Sequence, residues 1–266
     1  MEVLFYQPHN MYWNQTLEFQ NLIKNTNQNI NILTCNGVLK NHCMVFNAKK
    51  LAINGDDLKK KKICAECISN KKIYKRFNKN IKFTDIDNLV SSTEHLEINR
   101  HLDKIDKNNY KKFEIDNIKL GIIATHDVIL IQKLNNILSL EKKYWHEYIS
   151  VLKSTLITFY GIKNFLKKNS IDKVITFNNL YCTNRVVAKF TEQKNIVNYN
   201  MSTGFAIANQ SLQFLKLTEG VKAGFNFDCL RYWNEKNDKI LLNNDFEKLI
   251  IDHYDSLFNA RHYLNY

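Results

Sequence analysis

The stretch KVITFNNLYCTNRVVAKFTEQKNIVNY, residues 173–199, decides the fold class. It begins with a short apolar run, Lys173–Phe177, which predicts a buried strand. A segment with helical spacing follows over about Thr183–Gln193, and a second apolar run over Asn195–Tyr199 predicts another strand. The order strand, helix, strand is typical of a parallel sheet that is covered by helices.

The same order occurs at the start of the chain. Glu2–Tyr6 predicts a strand, about Met11–Lys24 a helix, and Asn29–Thr34 a second strand. The strongest helical pattern lies between the two units, over Glu141–Lys168, where apolar residues recur every three or four positions. We therefore predict an α/β fold with an open, mostly parallel, Rossmann-like sheet.

The helix and strand patterns are lost between about residues 35 and 80, a segment that holds four of the six cysteines. We therefore predict one Rossmann-like domain over 1–205, with a Cys-rich metal-binding loop inserted at about 35–80. The remainder, 206–266, is predicted to be a mostly helical C-terminal segment that closes with an amphipathic stretch over Asp245–Tyr263.

The composition excludes several classes of protein. With 266 residues, of which 44% are hydrophobic, the chain can bury a sizeable core, and its one proline and seven glycines exclude a collagen-like or turn-dense all-β chain. We find no signal-peptide pattern and no apolar run long enough to span a membrane, so we expect a cytoplasmic protein. In that compartment the cysteines are expected to be thiols or metal ligands and not disulfides.

Four cysteines fall within 33 residues: Cys35, Cys43, Cys64 and Cys67. The last two form a C-x-x-C pair, a spacing that lets two thiolates reach one tetrahedral ion. Four thiolates favour a structural Zn²⁺, with an iron–sulfur cluster as the rarer choice, and His42 is a substitute ligand. A redox-active C-x-x-C pair and ordinary buried cysteines stay open as alternatives.

The formal net charge is +12, and 33 of the 38 basic residues are lysine. The window Lys59–Lys82 contains ten of the basic residues and one acid, Glu66. Three interpretations stay open: a solvated lysine-rich face, a surface attracted to an anionic membrane or lipid phosphate, and a surface for single-stranded nucleic acid. The last is the weakest, because arginine reads bases and phosphates better than lysine and only Arg76 lies in the window.

Two amides and one arginine lie where open α/β sheets bind their ligands. Asn178 and Asn179 follow the predicted strand, and Arg185 falls in the first turn of the next helix. Ligands of such sheets bind beyond the carboxyl ends of the strands, and helix amides favour an anion there. We predict that these three residues bind substrate; the alternative is a turn with a surface charge.

His126 and Asp127 interrupt the most apolar stretch of the chain. They could form an acid/base pair, but adjacent residues of a helix do not face each other. We therefore favour a core histidine whose hydrogen bonds are satisfied.

The segments Cys35-Asn36-Gly37…Cys43…Cys64-x-x-Cys67 and Phe177-Asn178…Arg185 together resemble bacterial glycosyltransferases. These enzymes build capsule and other surface polysaccharides and have a GT-B architecture of two Rossmann-like domains. The resemblance implies that this chain is the N-terminal, acceptor-side half of such a transferase. It also implies a glycan or lipid-linked acceptor, and a nucleotide-sugar donor held by a partner domain. The rival interpretation is a non-enzymatic zinc-binding protein that binds nucleic acid.

Overall fold

The computed structural model describes residues 1–9, 28–49, 51, 56–134, 140–203 and 215–219, with only the backbone for 201–203 and 215–219. The helix predicted over Met11–Lys24 and the closing segment Asp245–Tyr263 lie outside these residues.

The described strands form one sheet. They are β1 (Glu2–Tyr6), β2 (Asn29–Thr34), β3 (Lys82–Asp85), β4 (Lys173–Phe177), β5 (Val197–Thr203) and β6 (Leu215–Glu219). Their order across the sheet is β3-β2-β1-β4-β5-β6, in which the first five are parallel and β6 runs antiparallel to β5. The predicted open, mostly parallel sheet is therefore confirmed.

Helices fill the connections between the strands. Those described are α1 (Met44–Ala48), α2 (Asp57–Phe77), α3 (Ser92–Lys104), α4 (Leu120–Gln132), α5 (Trp145–Lys168) and α6 (Cys182–Gln193). The long helix predicted from the apolar stripe is α5, and the helix predicted between the last two strands is α6. None of the described helices is apolar enough over a sufficient length to cross a membrane.

Both faces of the sheet are covered. Because side chains alternate along a strand, Leu4 and Tyr6 face one side of β1 while Val3 and Phe5 face the other. Helices α3, α4, α5 and α6 contribute to the core on the first face, and α2 contributes Tyr74 to the second. This arrangement explains why β1 reads as a continuous apolar run.

The segment from 35 to 80 differs from the predicted loop, because it contains α1 and the 21-residue α2. The side chain of Asp56 caps the start of α2 by accepting hydrogen bonds from the amides of Leu58 and Lys59. The only apolar side chains that α2 buries fully are Ile63 and Tyr74. So few buried apolar positions leave no continuous stripe for a periodicity argument to detect.

Candidate functional site

The strand order reverses direction between β1 and β4, because the chain builds the β2–β3 side first and then returns to the other side of β1. Ligands of open α/β sheets bind outside the carboxyl ends of the strands at such a point. Residues just past these ends are therefore the first place to look for a site.

The four cysteines predicted to act together line one small cavity near the ends of β1 and β2. Cys35 directly follows β2, Cys43 precedes the first residue of α1, and Cys64 and Cys67 lie one turn apart on α2. His9, just beyond β1, also lines this cavity. Sequence reasoning missed His9, since no spacing connects it to the cysteines.

Burial disfavours the thiolate form of three of these cysteines. Burial raises the pKa of Cys43 to about 12, and the nearby sulfurs of Cys67 and Cys64 act in the same direction. Burial also raises the pKa of Cys35 and Cys64. Because the thiolate is the reactive form, neutral thiols of this kind are poor nucleophiles.

A larger cavity adjoins the cysteines and lies between α2, α5 and the loop that follows β2. Its volume is about 720 Å³. The charged side chains that line it are Lys40, Lys60, Lys61, Lys153 and Asp57, with His146 beside them. Ile68 and Ile149 supply apolar wall, and Cys64 lines both cavities. The lining therefore combines apolar surface with four ammonium groups and one carboxylate.

Helix α2 carries most of the basic window, but its lysines do not form one solvated face. Lys71 is buried and its Nζ lies 2.5 Å from Oδ1 of Asp85. The same ammonium donates to the side chain of Asn36 at 3.2 Å and to the carbonyl of Cys35 at 3.4 Å. Lys71 therefore holds the loop after β2 in place.

A second cluster of polar groups lies deep in the protein. Nε2 of His42 is 2.8 Å from Oδ2 of Asp127, and both side chains are about 1% exposed. Oδ1 of Asp127 accepts a hydrogen bond from the amide of Cys182, the first residue of α6, at 2.9 Å. Donor atoms of these three residues lie within 4.8 Å of one another, as a metal site would require. They already bond to each other, however: His42 and Asp127 form a buried hydrogen-bonded pair, and the Asp127 carboxylate caps the first amide of α6.

Asp127 is the ionised member of this cluster. Burial opposes its ionisation, but interactions with the side chains of His126, His42 and Cys182 favour the carboxylate and lower its pKa to about 2. A carboxylate can only accept, so Nε2 of His42 is the donor. The neighbour His126 is about a third exposed and 3.8 Å from the carboxylate, so it is not the buried core histidine that the sequence favoured. Sequence reasoning missed the His42–Asp127 pair.

The three predicted substrate-binding residues have different surroundings. Asn179 is buried, and its amide group bonds to Thr176 and to Asn198 while its backbone amide donates to Asn200. Asn178 adopts a positive φ of 50° and accepts from the amide of Leu180, a turn conformation.

Arg185 is half-buried on α6. Substrate binding by Asn178, Asn179 and Arg185 stays a prediction. Both asparagine side chains are bonded within the protein, and Asn179 is the buried one.

Comparisons with known proteins give a fold likeness only. No family model and no curated protein matches the chain. Among solved structures it is similar to AlbC, a cyclodipeptide synthase from Streptomyces noursei, with 4% identity, a TM-score of 0.40, and coverage of 70% of this chain and 87% of that one. It is also similar to a CDPS from Fluoribacter dumoffii, with 9% identity, a TM-score of 0.42, and coverage of 82% of this chain and 90% of that one. A third similar structure is a cyclo(L-leucyl-L-phenylalanyl) synthase, with 5% identity, a TM-score of 0.37, and coverage of 70% of this chain and 81% of that one.

The glycosyltransferase interpretation is wrong. The solved structures named above are cyclodipeptide synthases and not GT-B glycosyltransferases. Three expectations depended on that interpretation and are wrong with it: the role in capsule or polysaccharide synthesis, the glycan or lipid-linked acceptor, and the donor-binding partner domain. The segments that suggested the resemblance are short: two of them follow β2 and β4, and the C-x-x-C pair lies within α2.

The partners inferred from the basic window, an anionic membrane surface or nucleic acid, are likewise not retained. The structure gives a physical reason, because Lys59–Lys82 is mostly one helix that turns Lys60 and Lys71 inward. Its charge is therefore divided between solvent, the loop after β2 and the wall of the large cavity.

Proposed function

We propose that this protein binds a small molecule bearing a phosphate or diphosphate group in the large cavity between α2 and α5. The observation that carries the proposal is the lining, in which four lysines and one carboxylate surround a cavity of about 720 Å³. Sites for small ligands are typically concave, of this size, and largely apolar with a few charged groups.

The position of the lysines supports an anionic ligand. Lys60 is buried and Lys153 is half-buried, so both hold their charge where water screens it poorly. Lysine recognises phosphate as a point charge, without the fixed fork of arginine. Four such groups from three separate segments favour a ligand with more than one negative charge.

The apolar part of the lining supports an organic portion on the ligand. Ile68 comes from α2 and Ile149 from α5, on opposite sides of the cavity. A ligand with a charged end and an apolar or aromatic end would bury both against matching surface. A cytoplasmic location, where phosphorylated metabolites are abundant, stays a prediction.

Isothermal titration with inorganic pyrophosphate tests this proposal, with acetate as the singly charged comparison. We expect saturable binding of pyrophosphate that weakens as salt is added, because salt screens charge pairs. The double variant Lys40→Gln/Lys153→Gln should weaken that binding by roughly tenfold or more, equivalent to about 1.4 kcal/mol.

The matched control is Lys72→Gln/Lys75→Gln. It removes the same charge from exposed positions of α2 that do not line the cavity. It should leave the affinity within about twofold, since only long-range attraction changes. Equal losses in the two double variants, or no saturable binding to the unaltered protein, would overturn the proposal.

A further inference from the structure

The four thiols converge on a space that fits a single ion. The cavity that Cys35, Cys43, Cys64 and Cys67 share has a volume of only about 20 Å³, enough for one water-sized particle. All four side chains are partly exposed. Two come from the loop that follows β2 and two from a single face of α2.

The backbone around the sulfur of Cys35 is arranged as in a ligand loop. Sγ of Cys35 accepts the amide of Gly37 at 3.2 Å, and Gly37 has a φ of 110°, which favours glycine. Cys43 caps α1 through its backbone carbonyl, which accepts the amide of Phe46 at 3.0 Å. Amide hydrogen bonds to sulfur stabilise thiolate ligands and orient them toward a metal.

The loop that carries Cys35 is fixed from two sides. The carboxylate of Asp87 accepts the amides of Asn36 at 2.7 Å and Val38 at 3.0 Å. Lys71 donates to the carbonyl of Cys35 from the opposite side, and this ammonium belongs to the same helix as Cys64. Because the ligand loop and the ligand helix are joined by these contacts, ordering the site costs less than assembling it from mobile segments.

We propose that Cys35, Cys43, Cys64 and Cys67 bind one structural Zn²⁺. Tetrahedral thiolate coordination at about 2.3 Å would bring the sulfurs to about 3.8 Å from one another. In the described part of the chain, the three-residue group with donors within 4.8 Å is the His42 cluster and not these cysteines. Binding therefore requires the sulfurs to move closer together than they lie in the structure. With four protein ligands the ion has no open position and holds structure without catalysing.

Metal content and cobalt spectroscopy test the proposal. We expect one zinc per chain by native mass spectrometry of the purified full chain. Replacement by Co²⁺ should give thiolate-to-metal charge-transfer absorption and the strong visible bands of a tetrahedral site. Cys64→Ser should weaken zinc binding by roughly 100-fold or more in a chelator competition. Should Cys64→Ser fail to fold, Cys67→His keeps four ligands and should retain the metal with a shifted cobalt spectrum.

The control is Cys182→Ala, which removes a buried thiol from the His42 cluster and leaves the four-cysteine cavity intact. It should keep one zinc per chain. An unaltered protein that binds no zinc tightly would overturn the proposal, as would loss of zinc in Cys182→Ala but not in Cys64→Ser. The readout is the metal itself, so it does not depend on whether the lysine-lined cavity binds an anion.

Discussion

Nε2 of His42 donates to Oδ2 of Asp127 at 2.8 Å, although the two residues are 85 positions apart in the chain. Through the other oxygen of the same carboxylate, α4 also holds the first amide of α6. One buried side chain therefore joins the loop after β2, α4 and α6.

We expect Asp127→Ala to destabilise the protein by about 3 to 5 kcal/mol, because it leaves His42 and the α6 amide without their buried partner. Urea denaturation measures the loss. His126→Ala is the adjacent comparison and should cost clearly less, about 1 kcal/mol, since His126 is about a third exposed and 3.8 Å from the carboxylate. Similar losses for the two variants would show that the buried pair does not matter.

The same carboxylate predicts a pH dependence. The pKa of Asp127 is lowered from 3.8 to about 2, so the unfolded chain takes up its proton first as the pH falls. Stability is therefore complete above about pH 4 and lost between about pH 4 and 2, by on the order of 2 kcal/mol. The free energy of unfolding is measured against pH for the unaltered protein and for Asp127→Asn, and the difference between the two curves isolates this loss. A flat difference would contradict it.

Gly121→Ala should destabilise the protein by about 2 to 3 kcal/mol, because an added Cβ would overlap the backbone carbonyl of Tyr110. Thermal unfolding followed by circular dichroism gives the comparison. In Gly161→Ala the new Cβ meets Cγ2 of Ile86, a side-chain atom that can move. That variant also gains about 1 kcal/mol of helix propensity, so its stability should change little. The reverse order of the two effects would refute the packing argument.

Asn179→Ala should cost about 1 to 3 kcal/mol, because its amide group is bonded to Thr176 and Asn198 in the interior. Arg185→Ala should change the unfolding free energy by less than about 0.5 kcal/mol, as is usual for residues outside the core. Chemical denaturation of both variants checks the pair. If Asn179→Ala is as stable as the unaltered protein, the hydrogen bonds of this side chain do not stabilise the fold, and a role in ligand binding becomes the better explanation for it.

Strands and the longest helix could be predicted because their signal is local. Glu2–Tyr6, Asn29–Thr34 and Lys173–Phe177 are apolar runs that lie buried on both faces, and the structure places strands at those residues. Helix α5 buries a continuous apolar stripe, which periodicity detects over two dozen residues.

What sequence reasoning missed depends on contacts between distant segments. Helix α2 was not predicted, because it is held by a cap at Asp56 and by Lys71 and not by an apolar stripe. The His42–Asp127 pair has no local signature, because 85 positions separate the two residues. From the sequence alone, only the adjacent His126 was considered as a partner of Asp127. By contrast, spacing alone grouped the four cysteines that the structure places around one cavity.

The central position of β1 has a consequence for how the chain folds as it is synthesised. One edge of β1 pairs with β2, which follows soon after, but the other edge pairs with β4. At ordinary rates of translation roughly 10 to 30 s pass between the synthesis of Glu2–Tyr6 and that of Lys173–Phe177. During that interval an apolar strand edge stays open on the ribosome. The nascent chain is then most exposed to wrong pairing, and chaperones that cover apolar strands would act at that stage.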